Sequence, residues 1–234
     1  GWPGGPGLGG GAGGAGRSVG GCPSLGGAGG ISWERALLLG EGRGEVMKRA
    51  AGERPGAMIA IVDLNRAQIE EILAEAGKSG KLYLANRNAS VQFVRSGDIP
   101  AVQEAERLAL AAGARRALIL TIPLAAHSPL MAKAGAEFKQ VFDGLEISEP
   151  ELPILANATG NPIRAVEAIR TELANHPLRP VDWMRTLVSP ERMRNTTVGE
   201  PGPGRGRASH DATHAPGGGK GTRAGRRRAG PCGH

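Results

Sequence analysis

The sequence is poor in cysteine and has no long hydrophobic run. Cys22 and Cys232, its two cysteines, show neither metal-ligand nor disulfide-framework spacing, so we expect no metal site and a reducing compartment. The longest apolar run, near residues 117–126, has about ten residues and is too short to span a bilayer. No basic segment followed by an apolar one opens the chain, so no secretory signal is predicted. These absences predict a cytoplasmic protein without a membrane partner.

Most of the chain also lacks net charge. Residues 1–184 hold 19 Lys and Arg against 19 Asp and Glu, whereas residues 185–234 hold 10 against 3 and carry the whole excess of +7. Glycine-rich residues 1–14 and the basic tail, 207–234, have few branched apolar side chains to offset the entropy of ordering, so both are predicted to be disordered. The tail, with its Arg226-Arg227-Arg228 run, is interpreted as a solvated end; an arm for an anionic partner is the alternative.

Hydrophobic periodicity predicts six elements in the middle of the chain. Strands are predicted at residues 57–62, 82–85, 91–94 and 117–122, with helices opening at Asn65 and Pro100. The resulting order, β-α-β-β-α-β, is the ferredoxin-like arrangement, in which an antiparallel sheet carries two helices on one face.

The flanking segments predict fewer elements. Ser32 is a plausible N-cap for a helix that Gly40, Gly42 and Gly44 weaken, so packing must hold it. Pro129 begins a helix reaching about residue 142, followed by a strand at residues 154–156 and a helix over residues 164–174. These are too few for a complete second domain.

Two short patterns carry the candidate chemistry. Residues 16–20 read Gly-Arg-Ser-Val-Gly, a G-x-S-x-G pattern that suits a sharp turn presenting the Ser18 hydroxyl. Residues 125–131 read AAHSPLM and supply His127, whose imidazole can accept a hydroxyl proton. A glycine-rich tract produces the first pattern easily by chance and a single histidine is commonly structural, so only the combination indicates a nucleophile with its base.

Several segments share their spacing with one enzyme family. Counting back from the HSPLM residues without a gap, the pattern GHSxGE falls on residues 16–21. Asn86-Arg87-Asn88 matches Asn-x-Asn, residues 180–183 match PVxW and residues 200–205 match ExGPGR. Over about residues 15–206 the chain thus resembles the malonyl-CoA:acyl carrier protein transacylase family.

The resemblance implies an α/β fold and a division of the chain. In the family, an α/β-hydrolase-like large domain carries an inserted ferredoxin-like subdomain. The large domain would comprise residues 15–55 and 124–206, and the ferredoxin-like subdomain residues 56–123.

The resemblance also implies catalytic roles. Ser18 would attack the thioester of malonyl-CoA, with His127 as general base and then acid, and the acyl-serine would pass its group to the phosphopantetheine thiol of acyl carrier protein. Arg43 would pair its guanidinium with the malonyl carboxylate. The backbone N–H of Val19 would be one oxyanion donor.

Three further residues receive roles from the same resemblance. The main-chain carbonyl of His176 would orient the catalytic imidazole, although a plain surface position is the alternative. Asn86 and Asn88 would bind substrate, and their alternative is to cap a strand end. No cofactor is expected, and the chain is predicted to be a monomer.

Several positions depart from the family. Arg17 replaces its histidine, Gly21 its glutamate and Cys22 its common tyrosine, while His176 stands where it has glutamine. No counterpart of its N-terminal Gly-Gln-Gly segment is found, and losing one oxyanion donor costs about a hundred- to a thousand-fold in kcat. The sequence is interpreted as an N-terminally truncated copy with altered ends. The alternative is a catalytically inactive remnant that folds mainly as the ferredoxin-like module.

Two other classes of protein share parts of these patterns. The order β-α-β-β-α-β is also that of the RNA-recognition fold, which stacks bases on aromatic residues of its central strands. Aromatic residues make up 3% of this chain, and those two predicted strands contain only Phe93, so no specific nucleic acid partner is predicted. Hydrolases share the G-x-S-x-G turn, but their downstream acid followed by histidine is not found.

Overall fold

The computed structural model describes residues 14–186, which form an α/β structure. Its helices are α1 (Gly21–Gly27), α2 (Trp33–Glu53), α3 (Arg66–Ala76), α4 (Ile99–Ala111), α5 (Ala132–Asp143) and α6 (Val166–Asn175). Its strands are β1 (Ala57–Val62), β2 (Leu82–Ala89), β3 (Gln92–Gly97), β4 (Arg116–Ile119), β5 (Ile154–Leu155), β6 (Pro162–Ile163) and β7 (Val181–Asp182). The predictions for residues 1–13, 200–205 and 207–234, Cys232 included, lie outside the described residues.

The larger sheet has five strands in the order β4-β1-β3-β2-β7. The first four pair antiparallel, with Ile59 of β1 opposite both Arg95 and Ile119, whereas β7 adds to β2 in parallel. The six elements from β1 to β4 follow one another in the predicted order, and β7 was not predicted. Strand β4 ends at Ile119 instead of residue 122, and Ile122 is 42% exposed.

Period-two alternation gives this sheet two apolar faces. On one face Ile59, Ile61 and Phe93 form a buried cluster with the apolar sides of α3 and α4. Met58 and Val94 point to the other face and join a second cluster with residues of α1, α2, α5 and α6. The central strands β1 and β3 are therefore covered on both faces, and the second face packs toward the part of the chain that contains the candidate nucleophile and base.

Local signals set the starts of two helices as the sequence predicts. The Ser32 hydroxyl accepts the N–H of Arg35 at 3.3 Å and caps α2. Asn65 and Gln68 form a reciprocal capping box, with both bonds at 3.0 Å, at the start of α3. Tertiary contacts hold the glycine-containing α2, since it packs against both α1 and α5. This packing confirms the expectation for that helix.

The prediction of disorder for residues 1–14 is wrong at its last residue. Gly14 donates its N–H to the carbonyl of Pro153 at 2.8 Å and pairs with Ile154. The glycine-rich segment that follows forms α1, in which Cys22 and Leu25 are buried. Burial of these side chains and backbone hydrogen bonds offset the ordering entropy of this glycine-rich segment.

Among the described helices, none combines the length and apolarity that crossing a bilayer requires.

Candidate active site

Ser18 lies in a tight turn that leads directly into α1. Its φ of +54° is in the left-handed region, and a short 3-10 turn, Ser18–Gly20, connects it to the helix. A Cβ at position 16 would approach the carbonyl oxygen of Gly20 to 1.9 Å, so the turn closes only with glycine there. The turn therefore fixes where the Ser18 hydroxyl lies.

His127 lies within hydrogen-bonding distance of Ser18, the candidate nucleophile. The Oγ of Ser18 lies 2.9 Å from Nε2 of His127, although 109 residues separate the two in sequence. Nδ1 of the same ring lies 2.9 Å from the main-chain carbonyl of His176. Because a carbonyl can only accept, Nδ1 carries the proton, and Nε2 of the neutral ring is left to accept from Ser18.

The environment of His127 keeps this ring neutral. Burial and the charge of Arg43 lower its pKa from 6.5 to about 4, and the bond to His176 opposes the shift only in part. At neutral pH the imidazole is therefore unprotonated and able to act as a base.

Arg43 brings a buried positive charge to the same hydroxyl. It extends from α2, is 6% exposed, and donates from Nη2 to Oγ of Ser18 at 3.3 Å. Its Nε is buried and has no hydrogen-bond partner within the described part of the chain. Burial lowers the pKa of Arg43, Cys22 opposes that shift, and no carboxylate among residues 14–186 contributes to it. A buried guanidinium without an acidic partner is a site that an anionic group can fill.

Strand β2 contributes the two predicted asparagines. Asn86 and Asn88 are both buried, and the Oδ1 of Asn88 accepts a hydrogen bond from Nη1 of Arg17 at 3.2 Å. Partial burial lowers the pKa of Arg17. Arg17 thereby links Asn88 to the turn of Ser18, whereas no hydrogen bond within residues 14–186 joins the Asn86 side chain to Ser18 or His127.

His176 enters the site through its main chain, and its side chain lies behind the base. The centroids of the two imidazole rings are 5.3 Å apart, with 47° between the ring planes. Nε2 of His176 is buried and has no hydrogen-bond partner among residues 14–186. Burial, and then the charges of His127 and Arg43, lower the pKa of His176 well below its usual value. The carbonyl of His176 accepts the hydrogen bond from His127 even though a proline, Pro177, follows it in the chain. The plain surface alternative does not hold, because His176 is only 5% exposed.

Sequence reasoning missed Asn157 and Glu172. Asn157 follows β5, and its Oδ1 accepts the backbone N–H of Ser18 at 3.2 Å. Its own N–H donates to Oε1 of Glu172, on α6, at 2.6 Å. No motif marked either residue, because a single asparagine after a short strand carries no distinctive pattern.

The structure thus brings four of the predicted residues together: Ser18, Arg43, His127 and the carbonyl of His176. Asn88 joins them through Arg17, and Val19 lies within the 3-10 turn after the serine. Within residues 14–186, no group of His, Cys, Asp and Glu side chains is arranged to hold a metal ion. The arrangement suits proton transfer from a hydroxyl beside a buried positive charge.

Proteins with known names are similar to this chain over most of its length. The polyketide biosynthesis protein ThaF of Burkholderia thailandensis is 35% identical over 173 residues, which cover 74% of this chain and 15% of that protein. The malonyl CoA-acyl carrier protein transacylase of Bacillus subtilis is 31% identical over 192 residues, or 82% of this chain. The chain spans 61% of the length of that relative. No family model matches the chain.

Solved structures are also similar to this chain over most of its length. The malonyl-CoA:acyl carrier protein transacylase of Xanthomonas oryzae pv. oryzae has a TM-score of 0.79 at 31% identity, covering 84% of this chain and 62% of the other. A malonyl-transacylase in complex with its type II polyketide acyl carrier protein has a TM-score of 0.78 at 32% identity, covering 86% and 66%.

Proposed function

We propose that this chain, which belongs to the malonyl-CoA:acyl carrier protein transacylase family, moves malonyl groups from malonyl-CoA to the phosphopantetheine thiol of acyl carrier protein. The pathway would be fatty acid or polyketide synthesis. The observation that carries the proposal is the 2.9 Å contact between Oγ of Ser18 and Nε2 of His127, beside a buried guanidinium that has no acidic partner among residues 14–186.

The reaction proceeds in two acyl transfers through Ser18. Nε2 of His127 takes the hydroxyl proton as Oγ of Ser18 attacks the thioester carbonyl, and the tetrahedral intermediate then collapses to release CoA, whose sulfur receives that proton. In the second half, His127 takes the proton of the carrier thiol, whose sulfur attacks the acyl-serine and restores the Ser18 hydroxyl. The N–H of Val19 serves as an oxyanion donor in both halves.

Arg43 gives the preference for malonyl over acetyl. Its Nη2 is 3.3 Å from the nucleophilic oxygen, so an acyl group on Ser18 places its free carboxylate near the guanidinium. The planar guanidinium can bind that carboxylate in bidentate fashion, a geometry that lysine does not offer. Asn86 and Asn88 line the substrate side from β2, with Asn88 acting through Arg17.

The fold is proposed to be an α/β-hydrolase-like domain at residues 15–55 and 124–206 with a ferredoxin-like insert at 56–123. The support is the antiparallel order β4-β1-β3-β2 with α3 and α4 on one face. Ser18 and Arg43 then come from the first part of the large domain, and His127 and His176 from the second. We further propose a monomer that works in the cytoplasm and binds neither membrane nor specific nucleic acid.

Intact-mass measurement tests this function. Mixing the chain with malonyl-CoA is expected to add one malonyl group, and Ser18→Ala abolishes the addition. Arg43→Ala shifts any residual loading toward acetyl-CoA, whereas Arg35→Ala, a matched change at an exposed position of the same helix, leaves the preference unchanged. If a folded sample reacts neither with malonyl-CoA nor with a serine-directed probe, the chain is the inactive remnant.

A further inference from the structure

We propose that Asn157 is a positioning residue that holds the Ser18 backbone in place and ties it to the helix that also orients His127. The inference rests on the transacylase function proposed above and adds a residue to it. Within residues 14–186 no hydrogen bond joins the Asn157 side chain to the Ser18 hydroxyl or to the His127 ring, so Asn157 acts through the backbone of Ser18.

In the hydrogen bond between Asn157 and Ser18, the donor and the acceptor can be assigned. The backbone N–H of Ser18 can only donate, so the side-chain atom 3.2 Å from it must be the amide oxygen of Asn157. Asn157 is 6% exposed, which leaves water little access to this bond. Ser18 has a left-handed φ, a conformation that surrounding contacts must hold. The amide of Asn157 is one such contact.

Two main-chain bonds fix Asn157 itself. Its N–H donates to Oε1 of Glu172 at 2.6 Å, and its carbonyl accepts the N–H of Asp182 at 2.8 Å. Asp182 lies in β7, which pairs with β2 next to Asn86. Asn157 is therefore anchored both to α6 and to the end of the sheet.

Helix α6 leads to both members of the catalytic pair. Glu172 is in its last two turns, and His176, four residues later, is at its C-terminal cap. Residues four apart lie on the same side of a helix. Glu172 acts on Ser18 through Asn157, while the carbonyl of His176 holds Nδ1 of His127. One turn of α6 thus sets the position of the nucleophile relative to its base.

Loading kinetics test this role. In Asn157→Ala the maximal rate of Ser18 malonylation at saturating malonyl-CoA is expected to fall by about 10- to 100-fold, because small displacements of a nucleophile cost this much. The half-saturating concentration should stay within about twofold, because Arg43 is untouched. Asn161→Ala, a matched change on the exposed part of the same loop, should load at the wild-type rate.

Glu172 variants separate positioning from general stability. Glu172→Gln keeps an oxygen for the N–H of Asn157 and should load like the wild type, whereas Glu172→Ala should be slower. The double variant with Asn157→Ala should be no slower than Asn157→Ala alone, since both changes break one link. Additive losses in the double variant would overturn the link between the two residues.

The outcomes distinguish this inference from the function on which it rests. If the wild type loads malonyl and Asn157→Ala loads as fast as Asn161→Ala, the inference is overturned and the function stands. If a serine-directed probe labels the wild type but malonyl-CoA does not, the proposed transacylase function is refuted. The rates at which the probe labels Asn157→Ala and Asn161→Ala are then compared instead. If circular dichroism shows that Asn157→Ala does not fold, Glu172→Ala serves as the test variant. A rate of Ser18 malonylation in Glu172→Ala equal to that of the wild type then overturns the inference.

Discussion

The effect of the Arg43 charge on the pKa of His127 can be tested quantitatively. Its pKa of about 4 arises from burial and from Arg43. A proton on Nε2 removes the acceptor for the Ser18 hydroxyl, so reactivity of Ser18 should fall below an inflection near pH 4. At about pH 5.5 nearly all of the ring is neutral, whereas an ordinary histidine would be about one-tenth neutral. The fraction of molecules with an unprotonated His127 at that pH is therefore roughly tenfold higher than an unperturbed pKa allows.

Removing the charge of Arg43 should move this inflection upward. In Arg43→Gln the Coulombic contribution that disfavours imidazolium is lost, while burial remains, so the inflection should lie above 4 but below 6.5. The rate of labelling by an uncharged serine-directed probe between about pH 4 and 8 measures it without requiring the malonyl carboxylate to bind. Arg35→Gln, a change of the same charge at a position of α2 that is 49% exposed, is the control.

Two results would refute this reasoning. An inflection near pH 6.5 in the wild type would mean that His127 is not desolvated as its burial requires. An inflection in Arg43→Gln at the same pH as in the wild type would mean that the charge of Arg43 does not affect the pKa of His127. Circular dichroism at each pH separates loss of the fold from titration of the base.

The same pKa also affects stability. Between pH 4 and 6.5 the unfolded chain binds a proton at His127 that the folded chain does not, so the free energy of unfolding rises with pH across this window. His127 alone should contribute about 3 kcal/mol to the loss of stability on acidification from neutral pH to about 4. In His127→Gln, urea denaturation at the two pH values should show a loss smaller by about that amount.

Two further variants test the turn and the core. Gly16→Ala should abolish probe labelling of Ser18, because its Cβ would meet the carbonyl oxygen of Gly20 at 1.9 Å, while Gly20→Ala, whose Cβ meets no atom within 4 Å, should keep it. Phe138→Ala removes a fully buried ring that packs edge-on against Phe142 and should lower the free energy of unfolding by about 3–5 kcal/mol in urea. Leu38→Ala, at a position 64% exposed, should change it by less than about 0.5 kcal/mol.

Elements with strong local signals could be predicted from the sequence. Strand β1 has the predicted bounds, and α2 and α3 begin after the predicted caps, Ser32 and Asn65. The helix predicted to begin at Pro129 starts as a 3-10 turn and becomes α5 at Ala132. Here the proline sets the start, but the first turn is wound more tightly than periodicity can indicate.

Elements that depend on distant contacts have weak local signals. The composition of α1 argues against a helix, yet Leu25 is fully buried and Gly26 lies against Ala36 of α2 so closely that a Cβ there would be 2.9 Å from the Ala36 Cβ. Strand β7 has two residues and exists because β2 pairs with it. Tertiary packing overrides local propensity in both cases.

The residues of the candidate site also differ in how strongly the local sequence indicates them. Ser18 and His127 could be proposed from the sequence because each lies in a short pattern with fixed chemistry, and their spacing could be compared with one family. Asn157 and Glu172 act through backbone N–H groups, and such a bond can come from any polar residue that the fold brings near. The sequence can therefore indicate residues that react more readily than residues that hold them.

Under the proposed function, Arg43 would connect the choice of substrate to the basicity of His127. The buried guanidinium disfavours imidazolium at His127, and no carboxylate among residues 14–186 offsets its charge. A malonyl carboxylate paired with Arg43 supplies that missing negative charge next to the reacting groups. The ring then loses part of the repulsion that lowers its pKa and accepts the Ser18 proton more readily. Acetyl carries no such charge, so on this reasoning the proposed malonyl preference includes the proton-transfer step as well as binding.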